Sequence, residues 1–384
     1  MAVVRASTGL SMGNALAATI PVDMLDKLLL YDADVTPLLA FTTDLKKTRT
    51  VDQPKFNHLY SDQIAIETQI NNGAGYSDSA TSIVVDDGTI FNVGDVAKNM
   101  QTGEHFLVTA VSTNTLTVTR GFGETAAAAM TDNDYVINLG SSFAEGASAP
   151  DPLMLLETEG YNYTQIFKQA IVVTGTANAS KFYTGAEYPK RKAQALRDLK
   201  RKIELAGLFG ERSITNPTGN QPQRTTRGLN ASITTNRFAI GGTLTESYFI
   251  NTCLYDLFRY GSRRKVMYAG PGMMKCFTDW GIDKLNTVTS DTMLGFSAKE
   301  YQCPWGKLVL VPHLMLEGSR SGYAFVVDPE NVYRASLPGR ALQFQDNIHA
   351  NDFDGKKGQW LAEIGWDIHL EKTHGVLTGI TGPG

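Results

Sequence analysis

Apolar and polar residues along this chain keep no single period, and the places where the period changes divide it into parts. Residues 1 to about 22 are small and polar-flecked, with no apolar face, a composition that stays unfolded when left alone. "DMLDKLLLYDADVTPLLAF" then supplies a short amphipathic stretch, which Pro37 is expected to stop. From Asp44 to about Tyr60 the chain is extended and polar and needs a partner surface. Residues 76–140 are different: short strands alternate with turn signals at Asp87-Gly88, Val93-Gly94, Thr102-Gly103 and Thr113-Asn114. Leu116 and Val118 alternate there with Thr115, Thr117 and Thr119, the pattern of a small β-module. A second extended run, Glu159 to Gly175, is expected to pair with the run before the module, leaving the module at the tip of a two-stranded ribbon. A bare ribbon is marginal in water, so a neighbouring subunit is expected against it.

The most helical stretch is "RKAQALRDLKRKIELAGLFG", residues 191–210. Leu196, Leu199, Ile203 and Ala206 form one narrow apolar stripe. Lys190, Arg191, Lys192, Arg197, Lys200, Arg201 and Lys202 cover much of the remainder, interrupted by Asp198 and Glu204. Asp198 is placed to pair with Lys202, and Gly207 and Gly210 weaken the end. From Thr243 the pattern turns α/β. Thr243 and Glu246 have capping-box spacing, and Phe249, Cys253 and Leu257 form a helical face ended by Gly261. "KVMYAG" reads as a buried strand and "PGMMKCFTDWGIDKL" as a helix. "GKLVLVPHLML", "YAFVVD", "NVYRAS" and "ALQFQD" read as strands, as does a final "GWDIHLEKTHGVL", where Trp366, Ile368 and Leu370 alternate with Asp367, His369 and Glu371.

Length and charge narrow the choices. At 384 residues there is room for two or three domains, and a net charge of −4 argues against a dedicated nucleic-acid binder. The charge is uneven. Residues 76–140 carry eight acids and two bases, net −6, so the rest is about +2. Cys253, Cys276 and Cys303 are odd in number and unclustered, against a disulfide framework or a zinc site. The N-terminus lacks the unbroken apolar core of a signal peptide, and no apolar run approaches the ~20 residues of a membrane span. A soluble cytoplasmic protein is expected.

Three motifs invite chemistry and fail on context. "GLSMG" at residues 9–13 has the nucleophile-elbow spacing without the strand and helix it needs. "GFGETA" at 121–126 follows a hairpin strand, not a βαβ unit. "AGPGMMK" opens a helix where phosphate can bind, but Pro271 removes a donor, so a structural helix start is expected. His369, Glu371 and nearby His374 suggest two metal ligands without a third, and a solvated strand face is expected instead. No catalytic, cofactor or metal site is assigned. The basic helix face is either a solvated face or a wall turned towards a polyanion.

The order of parts resembles the major capsid protein of tailed bacteriophages, the Hong Kong 97-type fold, in the family with a β-domain insertion. "DDGTIFNVGDVAKNMQTGEHFLVTAVSTNTLTVTRGFG", "QIFKQAIVVTGTA", "RDLKRKIELAGLFGERS" and "QRTTRGL" carry the likeness over about residues 83–229. The resemblance implies an α+β fold in these parts: an N-terminal arm (1–45), an extended loop (46–75 and 141–175), an inserted β-domain (76–140), a peripheral domain with spine helix (176–225), an axial domain (226–340) and peripheral-domain strands with the C-terminus (341–384). Asp198, Lys202 and Glu204 fall on the spine helix, and Arg227-Gly228-Leu229 on the turn into the axial domain. It implies a non-enzymatic subunit forming pentamers and hexamers around double-stranded DNA in a virion assembled in the host cytoplasm. Scaffold, portal and decoration proteins are implied partners; a membrane is not. Lys190, Arg191, Arg197, Lys200, Arg201 and Lys202 would face DNA, and Asp86, Asp87, Asp95 and Glu104 would lie on an acidic outer module. The chain departs from some members in lacking a long helical prodomain, which implies a separate scaffold or none. No lysine–asparagine crosslinking pair is identified. An encapsulin-type compartment would share the fold and be told apart by its cargo. A sugar-binding or hydrolytic surface protein would instead be a monomer or small oligomer.

Overall fold

The computed structural model describes residues 36–143, 145–146, 156–182, 186–219, 221–280, 285–286 and 299–384. The expected arm up to residue 35, with "GLSMG", lies outside the described residues. The chain forms two compact units, one spanning Leu59–Glu159 and the other made of the segments on either side.

The larger unit opens with α1 (Pro37–Asp44). Pro37 starts this helix rather than stopping one, because at the first helical position its missing N–H is no loss and its φ is preset. β1 (Thr48–Thr50) and β2 (Lys55–Tyr60) follow. The smaller unit then runs through β3 (Glu67–Gln69), β4 (Ser82–Val84), β5 (Asp95–Asn99), β6 (His105–Ser112), β7 (Thr115–Thr119) and β8 (Tyr135–Ser141). These form one sheet in the order β3-β8-β5-β6-β7-β4. Ile83, Phe106, Val108, Leu116, Val118 and Val136 fill its core. The β6–β7 turn places Thr113 at φ 51, the left-handed backbone a tight hairpin demands.

β9 (Thr158–Tyr163) and β10 (Gln165–Thr174) are the expected second extended run, but the run divides at Thr164. β9 pairs with β2 as a two-stranded ribbon. β10 leaves it and pairs with a C-terminal strand, Gln165 opposite Ile364 and Thr174 opposite Gly355. Its buried Phe167, Ile171 and Val173 alternate with exposed residues, and that apolar face needs a sheet and core that the ribbon lacks.

The chain continues through α2 (Gly175–Ala179), α3 (Glu187–Phe209), β11 (Ser213–Thr215), β12 (Gln223–Thr225), α4 (Leu229–Ser232) and β13 (Arg237–Leu244). α5 (Glu246–Tyr248) runs through a π turn, Phe249–Leu254, into α6 (Tyr255–Arg259). Thr245, not Thr243, caps α5, since its hydroxyl accepts from Tyr248 N–H while Thr243 belongs to β13. Next come β14 (Arg264–Ala269), α7 (Pro271–Asp279), β15 (Leu285–Asn286), β16 (Lys299–Cys303), β17 (Gly306–Pro312), β18 (Ala324–Val327), β19 (Val332–Ser336), β20 (Gln343–Gln345), β21 (Gly355–Ile368) and β22 (Gly375–Pro383).

Two sheets organise this unit. One joins β1, β19, β21 and β10 in that order, with β20 also on β21. The other is ordered β13-β22-β18-β14-β17-β16-β15. Along β14, Val266 and Tyr268 enter the core shared with α1 and α3, while Met267 and Ala269 enter a second core with Phe249, Cys253, Leu257 and Phe277. The expected last strand is two strands in two sheets, broken where Leu370 takes φ 48 and a short 3-10 turn follows. α3 buries Ala195, Leu199, Ile203, Glu204, Gly207 and Leu208, so Ala195 takes the place expected for half-buried Leu196. Gly207 has a packing role: a Cβ there would come within 2.6 Å of the Trp366 indole.

Candidate functional site

The cationic face of α3 is partly neutralised by its own helix. Glu187 accepts from Lys190 (3.1 Å) and Arg191 (3.2 Å), and Lys190 leads in holding its carboxyl below the usual range. Lys192 stands over the Phe344 ring, 3.7 Å from its centroid, a cation–π contact. Lys202 donates to Gln169 Oε1 at 2.7 Å, not to Asp198 as its spacing suggested. Arg201 and Lys202 are exposed. With Asp198, Leu205, Met315, Glu317 and Arg320 they line a shallow depression of about 290 Å³.

Glu204, expected on that polar face, is fully buried on the opposite side. Its carboxylate accepts from Leu38 N–H (2.7 Å) and Leu39 N–H (2.8 Å), and His313 Nε2 lies 3.0 Å away. These amides are the second and third of α1, whose N-cap Thr36 makes no side-chain cap. Pro37 has no N–H, and Ala40 N–H reaches Thr36 O. Glu204 therefore completes the first turn of α1 as a cap supplied from α3.

In the smaller unit Asp86 and Asp87 are exposed, but Asp95 and Glu104 are buried and do not belong to an acidic surface. Glu104 accepts from Arg120 Nε and Nη2, both at 2.7 Å, and from the Gly121 and Ala128 N–H groups at 3.0 Å. Burial raises its carboxyl, and these donors together bring it below the usual range. "GFGETA" thus contributes Gly121 N–H to a structural staple. Asp95 accepts from Asn92 N–H and Asn138 Nδ2, both at 2.8 Å. At "AGPGMMK" the Gly270 and Gly272 N–H groups donate to Tyr323 O and Ser321 O, so this helix start is structural.

Near the end of β21 the expected solvated face is replaced by two buried polar groups. Asp367, fully buried, receives Arg49 Nη1 (2.7 Å) and His58 Nδ1 (3.1 Å), with His369 Nε2 at 3.0 Å. Burial works to raise its carboxyl, and the histidine and arginine contacts outweigh it, holding it well below the usual range. His374 is also buried. It accepts Asp328 N–H at Nδ1 and donates from Nε2 to His369 O, the bonding of a neutral ring. Burial pushes it down to about 4, with the charge of Lys265 adding to the effect. Lys265 donates to Tyr260 O and Thr373 O, and burial pushes it down to about 8. Glu371 accepts from Thr234 and Thr235 and shares no site with His369. Arg49 and His58 lie 318 and 309 residues from Asp367, so no local spacing signals this cluster. Burial pushes the free thiols Cys253 and Cys276 up to about 12 and about 11, which keeps them protonated.

Buried polar staples thus fasten strands and helices to one another within each unit. The sequence matches the family of the SU10 major capsid protein over residues 6–381. This chain belongs to that family. It is a major capsid protein, a structural subunit of a phage capsid shell, as its resemblance to tailed-phage capsid proteins implied. It is 23% identical over 375 residues to the major capsid protein of Pseudomonas phage PaMx41, covering 90% of this chain and 88% of that one. Among solved structures it is similar to the capsid of a native GTA particle (TM-score 0.49, 8% identity, 98% of this chain and 100% of that one). It is also similar to Mycobacterium phage Adephagia (TM-score 0.46, 9% identity, 96% of this chain and 98% of that one). The architecture of this capsid protein is α+β, with a two-stranded ribbon, a six-stranded sheet in the smaller unit, a 23-residue helix and two sheets in the larger unit.

Proposed function

We propose that this capsid protein closes into pentamers and hexamers around double-stranded DNA, with α3 along the inner wall and the inserted unit outside. The observation that carries the proposal is the ribbon. Among the described residues β2 and β9 pair only with each other, and Leu59 on β2 is 66% exposed. Leu156, just before β9, is 89% exposed. A two-stranded ribbon with uncovered leucines is marginal in water, and a neighbouring subunit lying on it supplies the missing core. Head-to-tail contacts of this kind close into rings of five or six and build a shell.

The cations of α3 act on DNA without reading sequence. Arg191 shares Glu187 with Lys190, and Lys200 and Arg201 lie further along the same helix. Like charge between DNA and the exposed Asp86 and Asp87 costs nothing on an outer surface. Scaffold, portal and decoration proteins, and assembly in the host cytoplasm, belong to the same reading. The test is negative-stain microscopy of the chain expressed alone, with analysis of copurified nucleic acid. Closed shells or five- and six-membered rings support the proposal. Shells that retain a protein cargo and no DNA, with or without added DNA, favour a cargo-loading compartment. A variant with Lys200→Glu and Arg201→Glu should still form shells but release DNA at lower salt, with a shallower salt slope by roughly 0.9 per lost phosphate contact.

A further inference from the structure

We propose that His58, Asp367 and His369 form a binding site for a zinc-class transition metal ion, fastening β2 to the end of β21. This goes beyond shell assembly and does not depend on it. The three groups offer ligand atoms that all lie within 4.8 Å of one another. Two of the separations are 3.1 Å (His58 Nδ1 to Asp367 Oδ1) and 3.0 Å (His369 Nε2 to Asp367 Oδ2). Ligands about 2.0–2.1 Å from a tetrahedral zinc ion stand about 3.3 Å apart, so small side-chain shifts admit the ion.

The site is built rather than incidental. Asp367 and His369 are two residues apart, one on β21 and one just past its end, and His58 comes from β2. The Asp367 side chain is fully buried, and those of His58 and His369 are 16% and 26% exposed. His369 Nε2 is buried and makes no aligned hydrogen bond, although the Asp367 oxygen is close enough for one. The two imidazoles pack with centroids 4.5 Å apart. A Cβ on Gly160 would reach 2.3 Å from His58 Nε2, so glycine there leaves room for the ring to seat against β9. Two imidazoles and one carboxylate suit Zn²⁺, Co²⁺ or Ni²⁺, with a fourth position for water. They do not suit Mg²⁺, which selects oxygen ligands.

Arg49 is the competitor already in place. Its Nη1 lies 2.7 Å from Asp367 Oδ2, yet its side chain is 40% exposed and can withdraw to solvent. Metal and guanidinium then exchange on one carboxylate, and the metal's affinity is set against Arg49.

The experiment is calorimetric titration of untagged, chelator-treated full-length protein with Zn²⁺ and with Mg²⁺, alongside Co²⁺ titration followed by visible absorption. The expected result is one Zn²⁺ site per chain, a Co²⁺ spectrum of low coordination number and no response to Mg²⁺. His58→Ala and His369→Ala should weaken binding by at least about 100-fold. Arg49→Gln, which removes a competing charge, should tighten it by about tenfold. Circular dichroism confirms that each variant folds, and the Arg49→Gln gain does not depend on a variant that loses a ligand. Absence of saturable binding in the unaltered protein, or binding unchanged in folded His58→Ala, overturns the proposal.

Discussion

Removing the Glu204 carboxylate should free α1 from α3. In the folded chain this carboxylate is the only acceptor for the Leu38 and Leu39 amides among the described residues. Glu204→Ala leaves those two donors without a partner, at about 1–3 kcal/mol for each buried polar group. Water entering the vacated space recovers part of this, so the net cost is about 2–4 kcal/mol. Glu204→Gln keeps one acceptor oxygen and should cost about half as much. The loss falls on a helix of eight residues, too short to hold together without its tertiary contacts. Hydrogen exchange of the 37–44 segment reads it directly. Since about 1.4 kcal/mol is a factor of ten, the amides of Leu39 and Ala40 should exchange roughly 30-fold to roughly 900-fold faster in Glu204→Ala. Exchange unchanged in this segment, in a folded variant, would refute the capping role.

Three further outcomes follow from the buried groups and the ribbon. His374 has a folded value of about 4, against about 6.5 unfolded, so the unfolded chain binds more protons between those values. Its contribution is complete above about pH 6.5 and is lost as pH falls. Denaturant melts of the unaltered protein should therefore lose about 2 kcal/mol between pH 7 and pH 5, and His374→Gln should flatten that slope. Arg120→Met should destabilise the inserted unit by about 3–5 kcal/mol, because it strands the buried Glu104 charge. Calorimetry would show this as an earlier transition of that unit, whereas tryptophan fluorescence would miss it, since Trp280, Trp305, Trp360 and Trp366 all lie outside 59–159. Leu59→Asp should leave the fold intact by circular dichroism and reduce shells to free subunits in sedimentation.

Local patterns were legible, and long-range partners were not. The 3.6-residue stripe of α3 and the two-residue alternation of β7 report on burial within one element, and both are present in the fold. Glu204 reads as one more charge on a polar helix, because the amides it caps are 165 and 166 residues away. Asp367 reads as the outward residue of an alternating strand, but both faces of β21 are buried along its second half, so alternation no longer marks exposure. Glu104 and Asp95 were counted as surface charge for the same reason: composition gives the sign of a charge and not its side. The division of the second extended run at Thr164 also depends on a distant strand. The family resemblance, by contrast, rests on the order of parts and survives errors in any one of them.

The central claim is that this chain closes into a shell with α3 inside and the inserted unit outside. A cryo-electron microscopy reconstruction of particles formed by the recombinant protein, loaded with DNA, tests both halves at once. The account predicts rings of five and six subunits, density for 59–159 on the outer surface, and Lys200 and Arg201 against the packaged DNA. Shells in which α3 faces solvent outside, or in which the inserted unit projects inward onto DNA, would contradict it.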